Sequence, residues 1–219
     1  MASLRFELDF ISPYAAVAWH AVQPIAARHG LSIEPVPILF AAILDAHGHK
    51  GPAEIEPKRR YTFKDIVRKA AAHGLALQPP PGHPFNPLAA LRLASLDLPL
   101  ETRQSLVTAL FDATWFRGTG VTDPAVITRI AQEHGIADAN DRIADPEVKQ
   151  RVRAQTETAI DRGTFGVPTI WVGDELFWGV DSLPHLAQFL AGRDPLPAEL
   201  YERWVQLRPQ SVRPRSTSD

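Results

Sequence analysis

Leu4-Arg5-Phe6-Glu7-Leu8-Asp9-Phe10-Ile11-Ser12-Pro13-Tyr14 is the stretch of sequence that decides the fold. Apolar and charged residues alternate at first, a period of two that predicts a β-strand with one apolar face. Ser12 is a favourable helix N-cap and Pro13 suits the first helical position, so a helix is predicted over 14–28. The Ser12 hydroxyl is therefore expected at a helix N-terminus, where backbone N–H groups and the helix dipole favour negative charge.

Strand and helix patterns continue along the chain. A second strand is predicted over 31–38, and because a helix separates it from the first, the two should be parallel. Its prolines indicate the edge of a sheet. The segments 167–172 and 175–178 flank Gly173-Asp174, an arrangement typical of a β-hairpin, and a last helix follows. Between the two groups of strands, helices are predicted over 61–73, 88–96, 100–116, 124–134 and 146–162.

The order of these elements predicts the architecture. Strand-helix-strand, a helical block and strand-strand-helix together indicate an α/β fold whose small sheet is interrupted by a large all-helical insertion. The tail is polar and rich in Pro, Ser and Arg, a composition typical of disorder. The predicted division of the chain is 1–40 plus 164–192 for the α/β part, 41–163 for the insertion, 193–207 for a terminal helix and 208–219 for the tail.

Composition argues against several classes of function. The 219 residues carry a net charge of −2, which gives no reason to expect nucleic acid or an anionic membrane surface as a partner. No apolar run is long enough to span a membrane and no export signal is recognised, so a cytoplasmic location is expected. Cysteine is absent, which removes disulfides and any dithiol redox cycle. The 8 histidines lack the spacing of a metal site, so no metal is expected.

Five short motifs are spread over the chain. They are Asp9-Phe10-Ile11-Ser12-Pro13-Tyr14, Lys58-Arg59-Arg60-Tyr61 with Asp65 and Arg68, His83-Pro84-Phe85-Asn86, Phe165-Gly166-Val167-Pro168-Thr169, and Trp178-Gly179-Val180-Asp181. In combination they are similar to the motifs of 2-hydroxychromene-2-carboxylate isomerases, within the superfamily of DsbA-like proteins and kappa-class glutathione transferases. The resemblance implies a thioredoxin-like fold with a helical insertion, and a homodimer.

The resemblance also implies an activity. It points to a glutathione-dependent isomerase that acts on an aromatic 2-oxo or hemiketal carboxylate. The implied reaction is the reversible conversion of 2-hydroxychromene-2-carboxylate to trans-o-hydroxybenzylidenepyruvate, a step in naphthalene breakdown. Two alternatives share the fold: a kappa-like glutathione transferase or peroxidase, and a non-catalytic binding protein that has lost its cysteines.

Ser12 is the catalytic residue that the resemblance implies, as a hydrogen-bond donor to the ionised sulfur of glutathione. Ser12 and Ala15 stand where redox relatives carry the cysteines of Cys-x-x-Cys, and an alcohol cannot exchange disulfides. The residues alone leave a plain helix N-cap as the alternative. The Val167-Pro168 bond is implied to be cis, with the Val167 main chain pairing with glutathione; an ordinary proline at a strand start is the alternative.

The segment after the hairpin is implied to bind the γ-glutamyl end of glutathione. Trp178, Gly179, Val180 and Asp181 form this candidate site. Helix N–H groups would bind the γ-glutamyl carboxylate, and Asp181 would accept a hydrogen bond from the ammonium. A strand end followed by an Asp cap is the simpler alternative. The family often has Asn at the position of Val180 and Arg at that of Ser182, and these differences leave the substrate open.

Three residues are candidates for binding a substrate carboxylate, namely Lys58, Tyr61 and Asn86. Lys58 belongs to a basic cluster that is interpreted mostly as a solvated helix face. That cluster comprises Lys58, Arg59, Arg60, Lys64, Arg68 and Lys69. The segment 42–57 is treated as a loop, and it does not match the family's substrate-binding residues.

Overall fold

A four-stranded mixed sheet forms the centre of the computed structural model, which describes residues 3–210. The strand order is β2-β1-β3-β4, with β2 parallel to β1 and the other pairs antiparallel. This mixed sheet confirms the expected thioredoxin-like α/β fold. The strands are β1 (Ser3–Leu8), β2 (Ser32–Pro37), β3 (Thr169–Val172) and β4 (Glu175–Trp178).

The second strand lies at one edge of the sheet, as its prolines predict. Pro35 pairs with Phe6 and Pro37 with Leu8 in the parallel register. A proline has no backbone N–H to donate, and an edge strand tolerates this because one of its sides needs no partner strand. The predicted parallel pairing and edge position are both confirmed.

Helix α1 (Pro13–Arg28) connects β1 to β2. Its small residues allow it to lie close against the sheet, and Trp19 is fully buried within its packed face. The Trp19 ring packs edge-on against Phe6 of β1, with ring centroids 5.3 Å apart. This packing fixes where the first turn of α1 lies relative to the sheet.

The remaining helices agree with the predicted helical block, with three differences. Helix α3 begins at Glu56 rather than Tyr61, because Pro57 is tolerated in a first helical turn. The segment treated as a loop contains a short helix, and another forms after Asp138. The helices are α2 (Phe40–Ala46), α3 (Glu56–Ala72), α4 (Leu88–Ala94), α5 (Leu100–Phe111), α6 (Pro124–Glu133), α7 (Ala139–Ala144), α8 (Pro146–Asp161), α9 (Leu183–Leu190) and α10 (Ala198–Val205).

One hydrophobic core spans the sheet and the helical block. It joins side chains of β1 and α1 to side chains of α3 through α8, without a break at either predicted boundary of the insertion. A smaller cluster lies where α2 and α8 meet the end of β2. Within residues 3–210, none of the helices has both the length and the apolar character needed to cross a membrane. The predicted disordered tail lies mostly outside the described residues.

Candidate active site at the start of the first helix

The turn between β1 and α1 fixes the position of Ser12. The Ser12 N–H donates to the Asp9 carbonyl at 3.1 Å, which closes the turn. The Ser12 hydroxyl oxygen accepts from the Ala15 N–H at 3.1 Å and so caps the helix as predicted. Because its oxygen already accepts a hydrogen bond, the hydroxyl group is oriented and its hydrogen points elsewhere.

The Val167-Pro168 peptide lies beside this hydroxyl. Its peptide bond is cis, as predicted. The Ser12 Oγ is 3.5 Å from the Val167 carbonyl oxygen, so this is a long and weak hydrogen bond. Antiparallel pairing of Glu7 with Thr169 places the end of β1 against the start of β3, which explains the proximity. Because this bond is weak, the hydroxyl hydrogen can be redirected to a stronger acceptor.

The electrostatic environment of Ser12 favours an anion. It lies at the positive end of α1, whose first turn contains no acidic side chain. Ser12 is only 7% exposed, so water screens this potential weakly. A thiolate that approached the hydroxyl would gain both a hydrogen bond and the favourable dipole.

The Asp9 side chain links the same turn to the start of α2 through hydrogen bonds. One carboxyl oxygen accepts from the Ile11 N–H at 3.0 Å and the other from the Phe40 N–H at 2.9 Å. Burial raises the pKa of Asp9 to about 7, although both hydrogen bonds act in the opposite direction. Asp9 therefore titrates close to neutral pH while it ties the turn to the start of α2.

Four polar side chains form what we call the Lys69 network: Tyr14, Asp65, Lys69 and Asp181. The Tyr14 hydroxyl donates to Asp65 at 2.8 Å. Lys69 Nζ donates to Asp65 and to Asp181, at 2.7 Å in each case. The network thus connects α1, α3 and the 3-10 turn Val180–Ser182 that precedes α9.

Charges within the Lys69 network shift its pKa values. Burial and the neighbouring Asp65 and Asp181 carboxylates raise the pKa of Tyr14. The pKa of Asp65 is lowered: burial opposes the shift, but the hydrogen bonds from Lys69 and Tyr14 outweigh it. The pKa of Lys69 is raised because its bonds to Asp181 and Asp65 outweigh burial. Lys69 is therefore a cation between two carboxylates at neutral pH, and its interpretation as a solvated residue is wrong.

The segment after β4 lies against the same site. The Gly179 N–H donates to the Pro168 carbonyl at 3.0 Å, and the Val180–Ser182 turn packs against α1. The Asp181 carboxylate is 75% exposed and bonds Lys69. It makes no cap hydrogen bond to α9 or to its own turn, so the simpler interpretation of Asp181 as a helix cap is wrong.

Trp178 and Val180, which are also predicted in this segment, differ in their exposure to solvent. Trp178 is 52% exposed and stacks on Phe165 with ring centroids 5.1 Å apart. A Cβ at Gly166 would lie 2.6 Å from the Trp178 indole nitrogen, so any larger residue there would have to displace the Trp178 ring. Val180 is buried, unlike its exposed neighbours Trp178 and Asp181.

The three candidates for a substrate carboxylate lie on the surface. Lys58 and Tyr61 are exposed on α3, and Tyr61 is 62% exposed. The Asn86 side chain accepts from the Leu88 N–H at 3.0 Å and so shapes the start of α4. The described contacts do not bring these three residues to Ser12, and their role remains a prediction.

An aromatic cluster borders the other side of the turn. We define it as Phe63, His83, Phe85 and Trp115. The His83 Nε2 lies 3.0 Å from the Ile11 carbonyl oxygen, and the Trp115 Nε1 donates to the Phe10 carbonyl at 2.8 Å. The cluster therefore packs against the residues that lead into Ser12.

Sequence reasoning missed the roles of Lys69 and His83. The spacing of Asp65 and Lys69 along one helix face is a readable signal for an ion pair. Nothing local indicates that Lys69 also reaches Asp181, or that His83 reaches the backbone of Ile11, because both contacts join segments far apart in the chain.

Comparisons with known proteins agree with this fold. The DSBA-like thioredoxin domain matches residues 4–191. A 2-hydroxychromene-2-carboxylate isomerase from Sphingobium xenophagum is 30% identical over 194 residues, which cover 86% of this chain and 97% of the relative. Glutathione S-transferase kappa 2 from Caenorhabditis elegans is 23% identical and covers 91% of this chain and 96% of its own.

A solved structure supports the same fold. A 2-hydroxychromene-2-carboxylate isomerase superposes with a TM-score of 0.80 at 24% identity and covers 94% of this chain and 99% of its own. The fold and site define an enzyme of thioredoxin type without redox cysteines. The chain belongs to the DSBA-like thioredoxin domain family and, within it, to the family of 2-hydroxychromene-2-carboxylate isomerases. The predicted family and an isomerase-type enzyme are thereby confirmed.

Proposed function

We propose that this protein is a glutathione-dependent isomerase of an aromatic 2-oxo or hemiketal carboxylate. The proposed reaction interconverts 2-hydroxychromene-2-carboxylate and trans-o-hydroxybenzylidenepyruvate. The observation that carries the proposal is the buried Ser12 hydroxyl at the positive end of α1, held by Ala15 and only weakly bonded to Val167. The relatives named as isomerases support the choice of reaction.

The residues around Ser12 fit glutathione in chemistry. A γ-glutamyl end carries one ammonium and one carboxylate, and the Lys69 network offers Asp65 and Asp181 for the first and Lys69 for the second. The Val167 backbone next to Pro168 can pair with the cysteinyl segment. In this arrangement the sulfur would lie at the Ser12 hydroxyl, with Trp178, Gly179 and Val180 along the γ-glutamyl end.

Ser12 acts as a hydrogen-bond donor in the proposed mechanism. When bound, glutathione would supply a nucleophilic thiolate, whose reversible addition to a conjugated double bond would permit rotation about it. Ser12 and the positive end of α1 stabilise negative charge on sulfur and so lower the thiol pKa. Ser12 forms no covalent bond, and it needs no general base.

Two further properties belong to the proposal rather than to the geometry. A homodimer is expected from the family resemblance, and both it and a cytoplasmic location remain predictions. A place in naphthalene breakdown follows only if the named substrate is correct. Sedimentation of the purified protein and fractionation of cells that express it test the first two.

The kappa-like relatives support a second candidate function. A glutathione transferase or peroxidase would use the same Ser12–thiolate pair and the same Lys69 network. Product analysis distinguishes the two, because an isomerase regenerates glutathione whereas a transferase or peroxidase consumes it. A non-catalytic binding protein would bind glutathione without turnover, or would not bind it at all.

The decisive experiment is turnover of 2-hydroxychromene-2-carboxylate, followed by absorbance, with and without glutathione. We expect turnover only with glutathione, and an unchanged glutathione concentration at equilibrium. S-methylglutathione serves as the matched control, since it carries the same charged groups as glutathione but no free thiol. Equal rates with and without the thiol would refute the proposal.

A further inference from the structure

Two ring nitrogens of the aromatic cluster form hydrogen bonds to the backbone just before Ser12. The Trp115 Nε1–H donates to the Phe10 carbonyl, and His83 Nε2 is within hydrogen-bond distance of the Ile11 carbonyl. A carbonyl oxygen can only accept, so the His83 hydrogen lies on Nε2. In the neutral ring Nδ1 then carries a lone pair and is an acceptor.

This acceptor has no hydrogen-bond partner within residues 3–210, although it is buried. Buried polar atoms without a partner are rare in folded proteins because they lose their hydrogen bond to water. The bond to Ile11 therefore orients the imidazole while its basic nitrogen is left unused. This arrangement suits a group that receives a proton from a ligand.

The side chains that surround His83 are aromatic. Phe63 and Trp115 pack edge-on against the imidazole, with centroids 5.4 Å and 5.6 Å away. Phe63 is 37% exposed, so the cluster meets the surface on this side. Burial lowers the pKa of His83, and Arg59 lowers it further, while the bond to Ile11 opposes them. The ring is consequently neutral at pH 7 and able to accept a proton.

We propose that His83 Nδ1 binds the hydroxyl group of an aromatic substrate and accepts its proton during ring opening, an inference that rests on the proposed function. The buried lone pair, the bond that orients the ring and the aromatic walls carry the proposal. It gives the site an acid–base residue distinct from Ser12, which only donates a hydrogen bond to sulfur.

Protons and electrons balance in this step. The hemiketal hydroxyl gives its proton to Nδ1 while its oxygen becomes the ketone oxygen. The bond between the hemiketal carbon and the ring oxygen breaks, and its electron pair stays on the phenolic oxygen. The same proton then passes from Nδ1 to that oxygen. His83 returns to the neutral form with its hydrogen still on Nε2, and no further reactant is consumed.

The test uses a matched pair of ligands, trans-2-hydroxycinnamate and trans-cinnamate, which differ only in the phenolic hydroxyl. Calorimetric titration of the full chain should show about threefold to tenfold tighter binding of the hydroxylated compound, the range expected for one additional hydrogen bond. Nitrogen NMR of histidine-labelled protein should show the Nδ1 resonance moving with the hydroxylated ligand and not with cinnamate.

His83→Gln is the informative variant. Its side-chain amide can still donate to the Ile11 carbonyl, but no atom replaces Nδ1, so the fold should survive and the hydroxyl preference should vanish. His73→Gln, at an exposed position, is the matched control and should keep the preference. Equal affinities of the two ligands for the wild type, absence of binding by both, or a preserved preference in His83→Gln would overturn the proposal. If His83→Gln fails to fold, the NMR measurement on the wild type still decides.

These measurements involve neither glutathione nor turnover, so the two proposals can fail separately. Loss of the hydroxyl preference in His83→Gln together with no glutathione-dependent turnover in the wild type would remove the proposed function alone. Normal turnover with an unchanged pH profile in His83→Gln would remove the role of His83 and leave the function of Ser12 intact.

Discussion

At the residue scale, Ser12 combines two tasks that are separable by experiment. Its oxygen accepts from the Ala15 N–H and caps α1, while its hydrogen is held by a long contact to Val167. Capping contributes to stability whether or not a ligand is bound. The hydrogen bond donated to a thiolate stabilises that anion, so it has an effect only when the anion is bound. A helix cap that faced solvent would perform the first task alone.

Ser12→Ala should lower the rate of glutathione-dependent turnover far more than it lowers stability. The lost cap should reduce the free energy of unfolding by about 0.5–2 kcal/mol. The lost donor should reduce the rate by about 10²–10³-fold, the usual effect of removing one preorganised donor to an anion. Asp123→Ala is the control, because Asp123 caps α6 with the same kind of bond and lies on the surface. Parallel losses of rate in the two variants would reduce Ser12 to a cap.

Asp9 makes the stability of the folded chain depend on pH. Burial raises its pKa from 3.8 to about 7, so the folded chain binds this proton more tightly than the unfolded chain. The sign follows from linkage: its contribution to stability is complete below about pH 4 and is lost as the pH rises to about 7. Asp9 therefore contributes less to the free energy of unfolding at neutral pH than at acid pH.

Asp9→Asn should remove this pH dependence. The difference in the free energy of unfolding between wild type and variant should fall by up to about 1.4 kcal/mol per pH unit between about pH 4 and pH 7. Urea unfolding at several pH values measures it, and the comparison with the variant cancels the titration of other groups. A difference that stays constant over this range would show that the carboxyl does not titrate there.

At the element scale, the Lys69 network holds α3 against α1 and the turn before α9. Its two ion pairs differ in exposure: the Asp65 side chain is 19% exposed and that of Asp181 is 75% exposed. An exposed ion pair contributes only about 0.2–1 kcal/mol because water screens it and the side chains lose freedom. Asp181 is therefore dispensable for the fold, and its carboxylate is available to a ligand ammonium.

Asp181→Ala should weaken glutathione binding while the fold survives. Loss of one exposed charge from the γ-glutamyl site should raise the dissociation constant by about twofold to fivefold. Calorimetric titration with glutathione measures the affinity, and thermal melting checks the fold. Asp174→Ala is the control, since it removes a fully exposed carboxylate from the β3–β4 turn. An unchanged affinity in Asp181→Ala would exclude Asp181 from the site.

Elements were more predictable than the contacts between them. The first strand, the cap at Ser12 and the hairpin around Gly173 are encoded in neighbouring residues. Each is present in the structure, although β1 ends at Leu8 while the alternation continues to Phe10. The start of α3 and the helix α2 were missed because their patterns are weak and packing decides their limits. The pairing of Lys69 with Asp181 depends on how the chain folds as a whole, and local spacing carries no signal for it.

At the scale of the whole molecule, the helical insertion and the sheet share one hydrophobic core. Trp19 of α1 donates to Thr108 of α5 at 2.9 Å, and Gln104 of α5 donates to the Ile33 carbonyl of β2 at 2.6 Å. These bonds lie within the continuous core that joins the two parts. The site depends on this continuity, because α3 of the insertion supplies Asp65 and Lys69 to a turn of the sheet domain.

Leu110→Ala should therefore destabilise the sheet as much as the insertion. Leu110 is fully buried in α5, and truncation of such a leucine typically lowers the free energy of unfolding by about 2–5 kcal/mol. Hydrogen exchange measured by mass spectrometry should show the protection of β1 and of α5 falling by the same free energy, as it does within one cooperative unit. Leu200→Ala, at a residue 43% exposed on α10, is the control and should leave both elements unchanged. Loss of protection confined to the insertion would show that it unfolds on its own, and Lys69 could then leave the site without unfolding of the sheet.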